Sequence, residues 1–514
     1  MENSQNKFKR LSGTCELSTD STTDYILPDY LGDIRRILFT ECAIGRSGHY
    51  SDGGTDEFSG TVVYEVVYLD ADEKPTRATF TSDFDMRLKA DEGRCAAICA
   101  PTVSSFYIRS TGPRRFSAGA TVTASVRCIS FDEISCTGDA FENSEMVQRL
   151  ESVLNLRCAA ESEHVERELS GSIERLDGAT LDEVEILFSG ARVTVNRAVA
   201  EGDGVRLEGE VRLYSLLSVD GAPIYLAEKT VPFEEILQID GAGDMTFIPN
   251  AEISTVTATV NPDEAGCEIM MSAAVELSAI GEYNERMTAA TDAFVAGAST
   301  ENSYREYRYS ELYDACYAVI LGVGELPSEK VCSEKLRDIP YLSGTVKLSS
   351  VSLLGDEAEL CGELRVTGFA SVTNEEGEIS YSALKFSLPI CERIKCNSRG
   401  DADARLDISV SPVWISASVD TESVAVSYKL CCKAVCSGTS TKTILMSAML
   451  TPGEESERGK TITVYYPTEG DTLFGIAKKF SVPLAEIAVK NELSASVCAD
   501  GSEPLAGVER LFIY

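Results

Sequence analysis

The sequence is poor in histidine and in basic residues, and each shortage excludes a class of function. Its 514 residues contain two histidines, His49 and His164, which lie far apart in the sequence. A metal site built from several histidines is therefore not expected. Lys and Arg number 46 against 82 Asp and Glu, so the formal net charge is −36. Surfaces that bind nucleic acid or anionic membranes need clustered basic side chains, and this balance argues against both.

Long apolar runs and closely spaced cysteine pairs are also missing. No run approaches 18 apolar residues, and no apolar stretch follows residues 1–10. We therefore expect neither a membrane span nor an export signal. The 17 cysteines include no CxxC pair, so we predict no metal site. We expect reduced, buried thiols in a cytoplasmic protein, with disulfides or metal binding as the alternatives.

The motifs that mark common enzyme classes are absent. The sequence has no G-x-S-x-G nucleophile turn, no phosphate-binding G-x-x-x-x-G-K-[ST] loop and no H-E-x-x-H zinc motif. Paired carboxylates are uninformative among 82 acidic residues. We predict a protein that is not an enzyme, with no catalytic residue and no cofactor.

What the sequence does contain is an internal repeat of about one domain length. Segments 57–68, 206–217 and 359–370 each carry a glycine followed by alternating apolar and polar residues. The three glycines are Gly60, Gly209 and Gly362. Alternation with period two is typical of a strand that is buried on one face.

Each repeat continues with further strand patterns. Second strands are predicted at 77–84, 225–233 and 378–388, which makes a β-hairpin in every copy. Later strands are predicted at 104–109 and 120–131, at 254–260 and 268–279, and at 407–419 and 423–435. Residues 143–160 have helical spacing. We predict a mainly β protein with three antiparallel sandwich-like domains at 25–140, 175–300 and 340–440.

The pattern changes after a polar linker at 452–459. A short strand at 461–466, two short helices around Leu473–Phe480 and Leu484–Asn491, and a final strand at 510–514 predict a βααβ domain over 460–514. This segment carries 5 basic and 7 acidic residues, so it is much less acidic per residue than the rest of the chain.

This C-terminal segment resembles the LysM domain. The matching string runs from Tyr466 through the Gly470-Asp471-Thr472-Leu473 turn to Val482, and continues with Ile487, Asn491 and the closing 510–513. The resemblance implies a shallow groove between that turn and the loop after Asn491. In members of the family that bind glycans, this groove holds N-acetyl sugars. The loop at 494–503 is longer than usual in the family.

The upstream repeats look like SPOCS domains. Several SPOCS domains before a terminal LysM domain are similar to the SipL-type spore coat morphogenetic proteins of endospore-forming Firmicutes. That resemblance implies a scaffold in the cytoplasm of the mother cell, at the forespore surface. It also implies that the LysM domain docks onto the ATPase-type protein of the coat basement layer.

Two readings of the candidate ligand or partner residues remain open. The set is Gly470, Asp471, Thr472, Leu473, Lys478 and Asn491. They could form a site for a protein or for an N-acetylglucosamine glycan such as peptidoglycan. Alternatively, Gly470 permits the turn, Asp471 or Thr472 caps the first helix, and Asn491 ends the second. A glycan-binding function requires export, which the sequence does not predict.

Overall fold

The protein is described here from a computed structural model. The structure describes the following residues: 6–52, 54–89, 94–134, 147–219, 223–373, 377, 379–420, 422–451, 462–493, 501, 504–505 and 508–513. Within them the chain is almost entirely β-strand, with a few short helices. The prediction of a mainly β protein is therefore confirmed. The linker predicted at 452–459 lies outside the described residues, as does most of the loop at 494–503.

Three antiparallel sheets of three strands each are built around the glycine segments. Sheet I comprises β2 (Arg36–Ser51), β3 (Thr55–Leu69) and β4 (Pro75–Lys89); sheet II comprises β9 (Val184–Glu201), β10 (Gly204–Val219) and β11 (Tyr225–Gln238); sheet III comprises β15 (Lys335–Leu354), β16 (Glu357–Thr373) and β17 (Ile379–Lys395). The glycine segment forms the middle strand of each sheet. The predicted hairpins β3–β4, β10–β11 and β16–β17 are confirmed.

A second set of antiparallel sheets accompanies the first. Sheet I′ comprises β1 (Asn6–Ile26), β5 (Arg94–Gly112) and β6 (Arg115–Ile134); sheet II′ comprises β7 (Val147–Glu161), β8 (Val165–Asp177), β12 (Thr246–Asp263) and β13 (Gly266–Val295); sheet III′ comprises β14 (Ser299–Pro327), β18 (Arg405–Val419) and β19 (Ser423–Thr451). A four-residue helix, α1 (Ser328–Val331), joins β14 to β15. We call all six sheets together the β-body.

Each sheet of the first set shares an apolar core with its counterpart in the second. Sheets I and I′ bury Val62, Val66 and Val122 between them, and II and II′ bury Leu207 and Val275 in the same way. Sheets III and III′ share a third core. The cores form because alternate residues of each strand point to one face. The predicted limits of the three β-domains stay a prediction.

Sheets I, II and III follow one another in a closed cycle. Strand β4 contacts β9, β11 contacts β15, and β17 contacts β2. The rings of Phe39, Phe188 and Tyr341 meet where the three sheets converge, with centroids 4.9 to 6.1 Å apart. These rings belong to one apolar cluster with residues of all three sheets. The three sheets are therefore joined by a common core in addition to their own.

The repeated glycine has a steric explanation in two of the three copies. A Cβ atom on Gly209 would lie 2.3 Å from the carbonyl oxygen of Thr194, and one on Gly362 would lie 2.3 Å from that of Lys347. Both glycines lie where the register shifts against the first strand of their sheet. At each of these positions the backbone of the neighbouring strand, β9 or β15, comes close because of the bulge. Only glycine, which has no side chain, leaves room for it.

The helix predicted at 143–160 is wrong, because residues 147–161 form strand β7. The apolar residues of this segment also fit a period of two, and Leu154, Leu156 and Cys158 are buried on one face. Strand β7 pairs with the C-terminal half of β13, which extends beyond its pairing with β8. The segment fits both the helical and the strand periodicity, and pairing with the long strand β13 selects the strand.

The expectation of reduced cysteines is wrong for one pair. Cys361 and Cys391 lie opposite each other on β16 and β17, with Cα atoms 4.1 Å apart, and are joined by a disulfide. Other cysteines of the described residues, among them Cys158, Cys267 and Cys432, are not in a disulfide. Neighbouring strands bring two cysteines together that are 30 residues apart in the sequence, and spacing alone does not reveal such a pair.

The C-terminal segment folds beside the β-body as a small separate unit. It comprises β20 (Thr463–Tyr465), α2 (Leu473–Phe480), α3 (Leu484–Lys490) and β21 (Leu511–Ile513), and the two strands pair antiparallel. Across the described part of the chain, none of the helices has the length and apolarity needed to span a membrane.

Candidate functional site

The C-terminal unit has a small apolar core that fixes the position of every candidate residue. Leu473 is fully buried, together with Phe474, Ile476 and Ala477 of the same helix. These side chains pack against Leu511 of the last strand. The spacing of the apolar residues gives α2 one apolar face, which is the face that meets the strand. Leu473 therefore belongs to the core and presents no side chain to a ligand.

The turn before α2 is held by its own side chains. Gly470 has a φ of +94°, a conformation that favours glycine. The Asp471 carboxylate accepts hydrogen bonds from the Tyr465 hydroxyl (2.9 Å), the Thr468 amide (2.8 Å) and the Thr468 hydroxyl (3.0 Å). Thr472 Oγ1 accepts a hydrogen bond from the Gly475 amide at 3.0 Å and caps the helix. Both polar side chains thus have intramolecular partners.

The hydrogen bonds to Asp471 also change its acidity. The amide of Thr468 lowers the pKa of the Asp471 carboxyl most, followed by the hydroxyls of Tyr465 and Thr468. All of these donors favour the ionised form. The carboxylate is therefore a charged structural acceptor at the start of α2.

Asn491 joins the end of α3 to the last strand. Its amide nitrogen donates to the carbonyl oxygens of Ile487 and Phe512, each at 2.8 Å. Its side-chain oxygen accepts from the Phe512 amide at 2.6 Å. These three bonds engage the side chain on both sides, so Asn491 ties the helix to β21.

The two segments that flank the expected groove bond directly to each other. The Phe474 amide donates to the Gly501 carbonyl oxygen at 3.0 Å, and the Leu505 amide donates to the Asp471 carbonyl oxygen at 2.9 Å. Thr472 also forms an isolated β-bridge with Pro504. Backbone groups that would face a sugar are thus paired along this stretch. The segments 494–500 and 502–503 lie outside the described residues.

Lys478 contacts the β-body. Its Nζ atom lies 2.7 Å from both carboxylate oxygens of Asp292, which belongs to β13, and 3.4 Å from the Tyr304 hydroxyl of β14. Burial alone would lower the pKa of Lys478, but the hydrogen bonds and charge of Asp292 outweigh it and raise that pKa. The lysine predicted to meet a ligand therefore anchors the unit.

Three further contacts complete this attachment. The Phe474 and Phe294 rings meet edge to face with centroids 5.3 Å apart. The Gly297 amide donates to the Ser481 carbonyl oxygen at 3.0 Å. The Leu484 amide donates to Gln148 Oε1 at 2.9 Å. The face formed by α2 and the turn after it is thus covered by the β-body. Sequence reasoning missed this face, because its partners are 174 to 336 positions away in the chain.

The described residues contain one cluster that could be considered for a metal. Glu359, Cys361 and Cys391 bring their ligand atoms within 4.8 Å of one another. The two cysteines are joined as a disulfide, so their sulfur atoms carry no thiolate charge for a metal. This cluster therefore does not fit a metal centre.

Comparison with known proteins identifies the C-terminal unit. The model of the LysM domain family matches residues 468–497. No curated protein and no solved structure matches the chain significantly. The matched range contains the turn, both helices and Asn491, whose contacts are described above. The chain therefore carries a C-terminal LysM domain, which indicates a role in binding glycans such as peptidoglycan or a role as an adaptor.

Proposed function

We propose that the protein is a scaffold without enzymatic activity in endospore coat morphogenesis. In this proposal it acts in the cytoplasm of the mother cell, at the forespore surface. The LysM domain docks onto a protein of the coat basement layer, of the ATPase type, and the β-body serves as the platform for other coat proteins. The carrying observation is that Asp471, Thr472, Lys478 and Asn491 are engaged in intramolecular hydrogen bonds and Leu473 lies in the core. Gly470, the sixth candidate, serves the turn.

Two features of the LysM domain favour a protein partner over a sugar. The backbone groups of Asp471 and Phe474 bond to the facing segment, which leaves fewer donors and acceptors for a glycan. Large apolar side chains remain exposed: Ile462 by 56%, Val464 by 42% and Tyr466 by 67%. Val464 is the central residue of β20, and Ile462 and Tyr466 are two positions before and after it. Side chains two positions apart point to the same side of a strand, so the three form one exposed patch. Exposed apolar patches of this kind suit contact with another protein.

The attachment of the LysM domain to the β-body supports the same function. An ion pair and an aromatic contact hold it through Lys478 and Phe474. A partner bound to the LysM domain would therefore be held in a defined orientation to the β-body. Such an arrangement suits a scaffold, because the function of a scaffold is to hold two partners in a defined relative position.

The test compares the intact protein with two charge variants. Purified protein is mixed with the purified basement-layer ATPase, and the dissociation constant is measured. We expect Tyr466→Glu to weaken binding by about tenfold or more, because it places a charge in the apolar contact. Leu321→Glu is the matched control, since Leu321 is 74% exposed on β14 and lies outside the LysM domain.

The alternative function is binding of a cell-envelope glycan such as peptidoglycan. It is favoured by the family of the domain and disfavoured by the paired backbone of the groove. Calorimetric titration of the intact protein with chitooligosaccharide separates the two. Saturable heat that is lost in Thr472→Ala, with the fold intact, would support the glycan function. Binding of the ATPase without any response to the sugar would support the scaffold.

A further inference from the structure

A large cavity opens between the sheets of the β-body, away from the LysM domain. Its volume is about 980 Å³, which lies at the upper end of the range of about 300–1,000 Å³ for small-molecule sites. Residues of sheets I, II and III and of β5 and β18 line it. It therefore lies where sheets I, II and III converge.

Part of the cavity lining is a network of polar side chains that are paired with one another. Arg192 pairs with Glu41, and the Tyr341 hydroxyl donates to Glu41 Oε2 at 3.0 Å. The hydroxyls of Tyr214 and Tyr341 are 3.1 Å apart. The network joins sheet I to sheets II and III. Because its members already have partners, it shapes the cavity and leaves recognition to other side chains.

Aromatic side chains also line the cavity, and one of them is held by a cation. The guanidinium of Arg212 lies 4.5 Å from the centre of the Trp414 ring. The same group bonds to Glu228 through its Nε atom at 2.7 Å. Pro412 and the ring of Tyr107, which is 46% exposed, also line the cavity. The apolar part of a ligand in the cavity would thus contact the rings of Trp414 and Tyr107.

The lining of the cavity carries more positive than negative charge. The cavity is lined by four basic residues, Arg192, Arg212, Arg365 and Lys385, and by three acidic ones, Glu41, Glu228 and Asp338. This reverses the ratio of the whole chain, which has 46 basic and 82 acidic residues. Arg192 and Arg212 are paired with Glu41 and Glu228.

Arg365 and Lys385 remain available to a ligand. Arg365 has Glu363 at 3.6 Å, and both side chains are more than half exposed. No ion pair of Lys385 occurs within the part of the chain that the structure describes. Lys385 lies opposite Thr367 and Ser387 lies opposite Arg365 in the β16–β17 ladder, so the two cations share one face of sheet III. The ion pair of Arg365 with Glu363 is exposed and therefore weak. Two neighbouring cations on one face are suited to hold a carboxylate.

We propose that this cavity binds a small amphiphilic organic anion. Its carboxylate is held by Arg365 and Lys385, and its apolar body lies against Trp414 and Tyr107. The inference concerns a ligand of the β-body and is independent of what the LysM domain binds. It makes the place where sheets I, II and III converge a binding site as well as a structural core.

Trp414 provides a direct readout, because it is the single tryptophan of the chain. The intact protein is titrated with octanoate, and Trp414 fluorescence and calorimetric heat are both followed. We expect a saturable response with octanoate. Binding of 1-octanol, which has the same apolar body without the charge, should be weaker by about tenfold or more, since charge-assisted bonds contribute that much. Acetate, which lacks the apolar body, should give no saturable response.

Charge variants locate the carboxylate. The double change Arg365→Glu with Lys385→Glu should weaken octanoate binding by about tenfold or more. The matched control is Lys347→Glu with Lys395→Glu, which makes the same charge change on β15 and β17 outside the cavity lining. If the first variant does not fold, Arg365→Gln with Lys385→Gln replaces it.

The proposal is overturned by any of three results. The first is the absence of a saturable response to octanoate. The second is equal affinity for octanoate and octanol, which would show that Arg365 and Lys385 hold no carboxylate. The third is equal weakening in the cavity variant and in the control variant, which would mean that total charge matters and the site does not.

Discussion

The β-body and the LysM domain are stabilised in different ways. Strand β13 of the β-body is 30 residues long, whereas β20 and β21 have three residues each. In the β-body, long ladders and shared apolar cores hold the sheets together. The LysM domain has a small core, and polar side chains of Asp471, Thr472 and Asn491 secure its turns.

The difference explains why the candidate residues do not form a site of free side chains. A domain this small buries little apolar surface, so its stability depends on individual polar contacts. The residues that match the family motif, such as Asp471, Thr472 and Asn491, are then needed to maintain the fold. The surface available to a partner is what these residues leave exposed, such as Tyr466.

The largest effect is expected from a buried charge of the β-body. Glu282 is fully buried and pairs with Arg127 at 2.5 Å and with Arg157 at 3.3 Å. Glu282→Ala would remove the buried counter-charge that Arg127 and Arg157 share, although Arg157 would keep its contact with Asp407 at 3.5 Å. We therefore expect a loss of about 3–5 kcal/mol in the free energy of unfolding. Urea unfolding followed by circular dichroism measures it.

The control for this prediction is an exposed ion pair. Glu57 lies 3.5 Å from Arg87, and both side chains are well exposed. Glu57→Ala should change the free energy of unfolding by less than about 0.5–1 kcal/mol, because exposed pairs contribute little. A loss for Glu282→Ala that is no larger than this would contradict the importance of the buried pairs.

The next largest effect concerns the two asparagines that bridge chain segments. Asn491→Ala removes three hydrogen bonds of the LysM domain, which corresponds to about 2–3 kcal/mol of stability. We expect faster hydrogen exchange throughout α2, α3 and β21, because the domain has few other contacts to hold it closed. Hydrogen-exchange mass spectrometry measures this.

Asn284 offers the matched change in the β-body. It exchanges two hydrogen bonds with the backbone of Leu312, each at 2.8 Å, beside a bulge between β14 and β19. In Asn284→Ala we expect faster exchange near Leu312 alone, since long ladders continue on both sides. Exchange that rises across all of sheets II′ and III′ would show that the β-body also depends on single contacts.

A smaller effect is expected at the attachment of the LysM domain. Lys478→Met removes a partly exposed ion pair with Asp292, which corresponds to about 1 kcal/mol. We expect faster cleavage by protease in 452–459 while β-body and LysM domain both stay folded. Lys479→Met is the control, because Lys479 lies over the Tyr465 ring of its own domain. Equal cleavage of both variants would contradict an anchoring role of Lys478.

The smallest effect is a pH dependence of the turn at Asp471. Its pKa lies below the ordinary value of 3.8 in the folded domain. The carboxylate therefore stabilises the domain above pH 3.8, and this contribution is lost as the pH falls through the lowered pKa. We expect the Thr468 amide resonance to shift below pH 3.8, and to stay constant in Asp471→Asn. A shift centred above pH 3.8 would contradict the lowered pKa.

Predictions from the local sequence pattern succeeded where strands have one buried and one exposed face, because apolar and polar residues then alternate. The alternation in 57–68, 206–217 and 359–370 indicated the middle strands of three sheets, and the hairpins followed from it. Pattern failed at 147–161, where apolar residues fit both a helix and a strand. There β13 offered an unpaired edge, and pairing with it decided the outcome.

The candidate site shows the same division. The spacing in 470–480 indicated a capped helix with Leu473 in its core, and the structure has both. That Lys478 would meet Asp292 was not predictable, because the two residues are 186 positions apart. Nor did the sequence indicate that Arg365, Lys385 and Trp414 would line one cavity.

The sequence by itself determined the class of structure, the strands of the three repeated segments and the turns and helices of the LysM domain. Those features depend on neighbours within a few residues, through side-chain periodicity, glycine at close approaches and helix capping. Tertiary structure alone decided the closed cycle of sheets, the disulfide of Cys361 and Cys391, and the attachment of the LysM domain. Each of these depends on contacts between segments that are far apart in the chain. The local sequence pattern of one segment does not indicate which distant segment will pack against it.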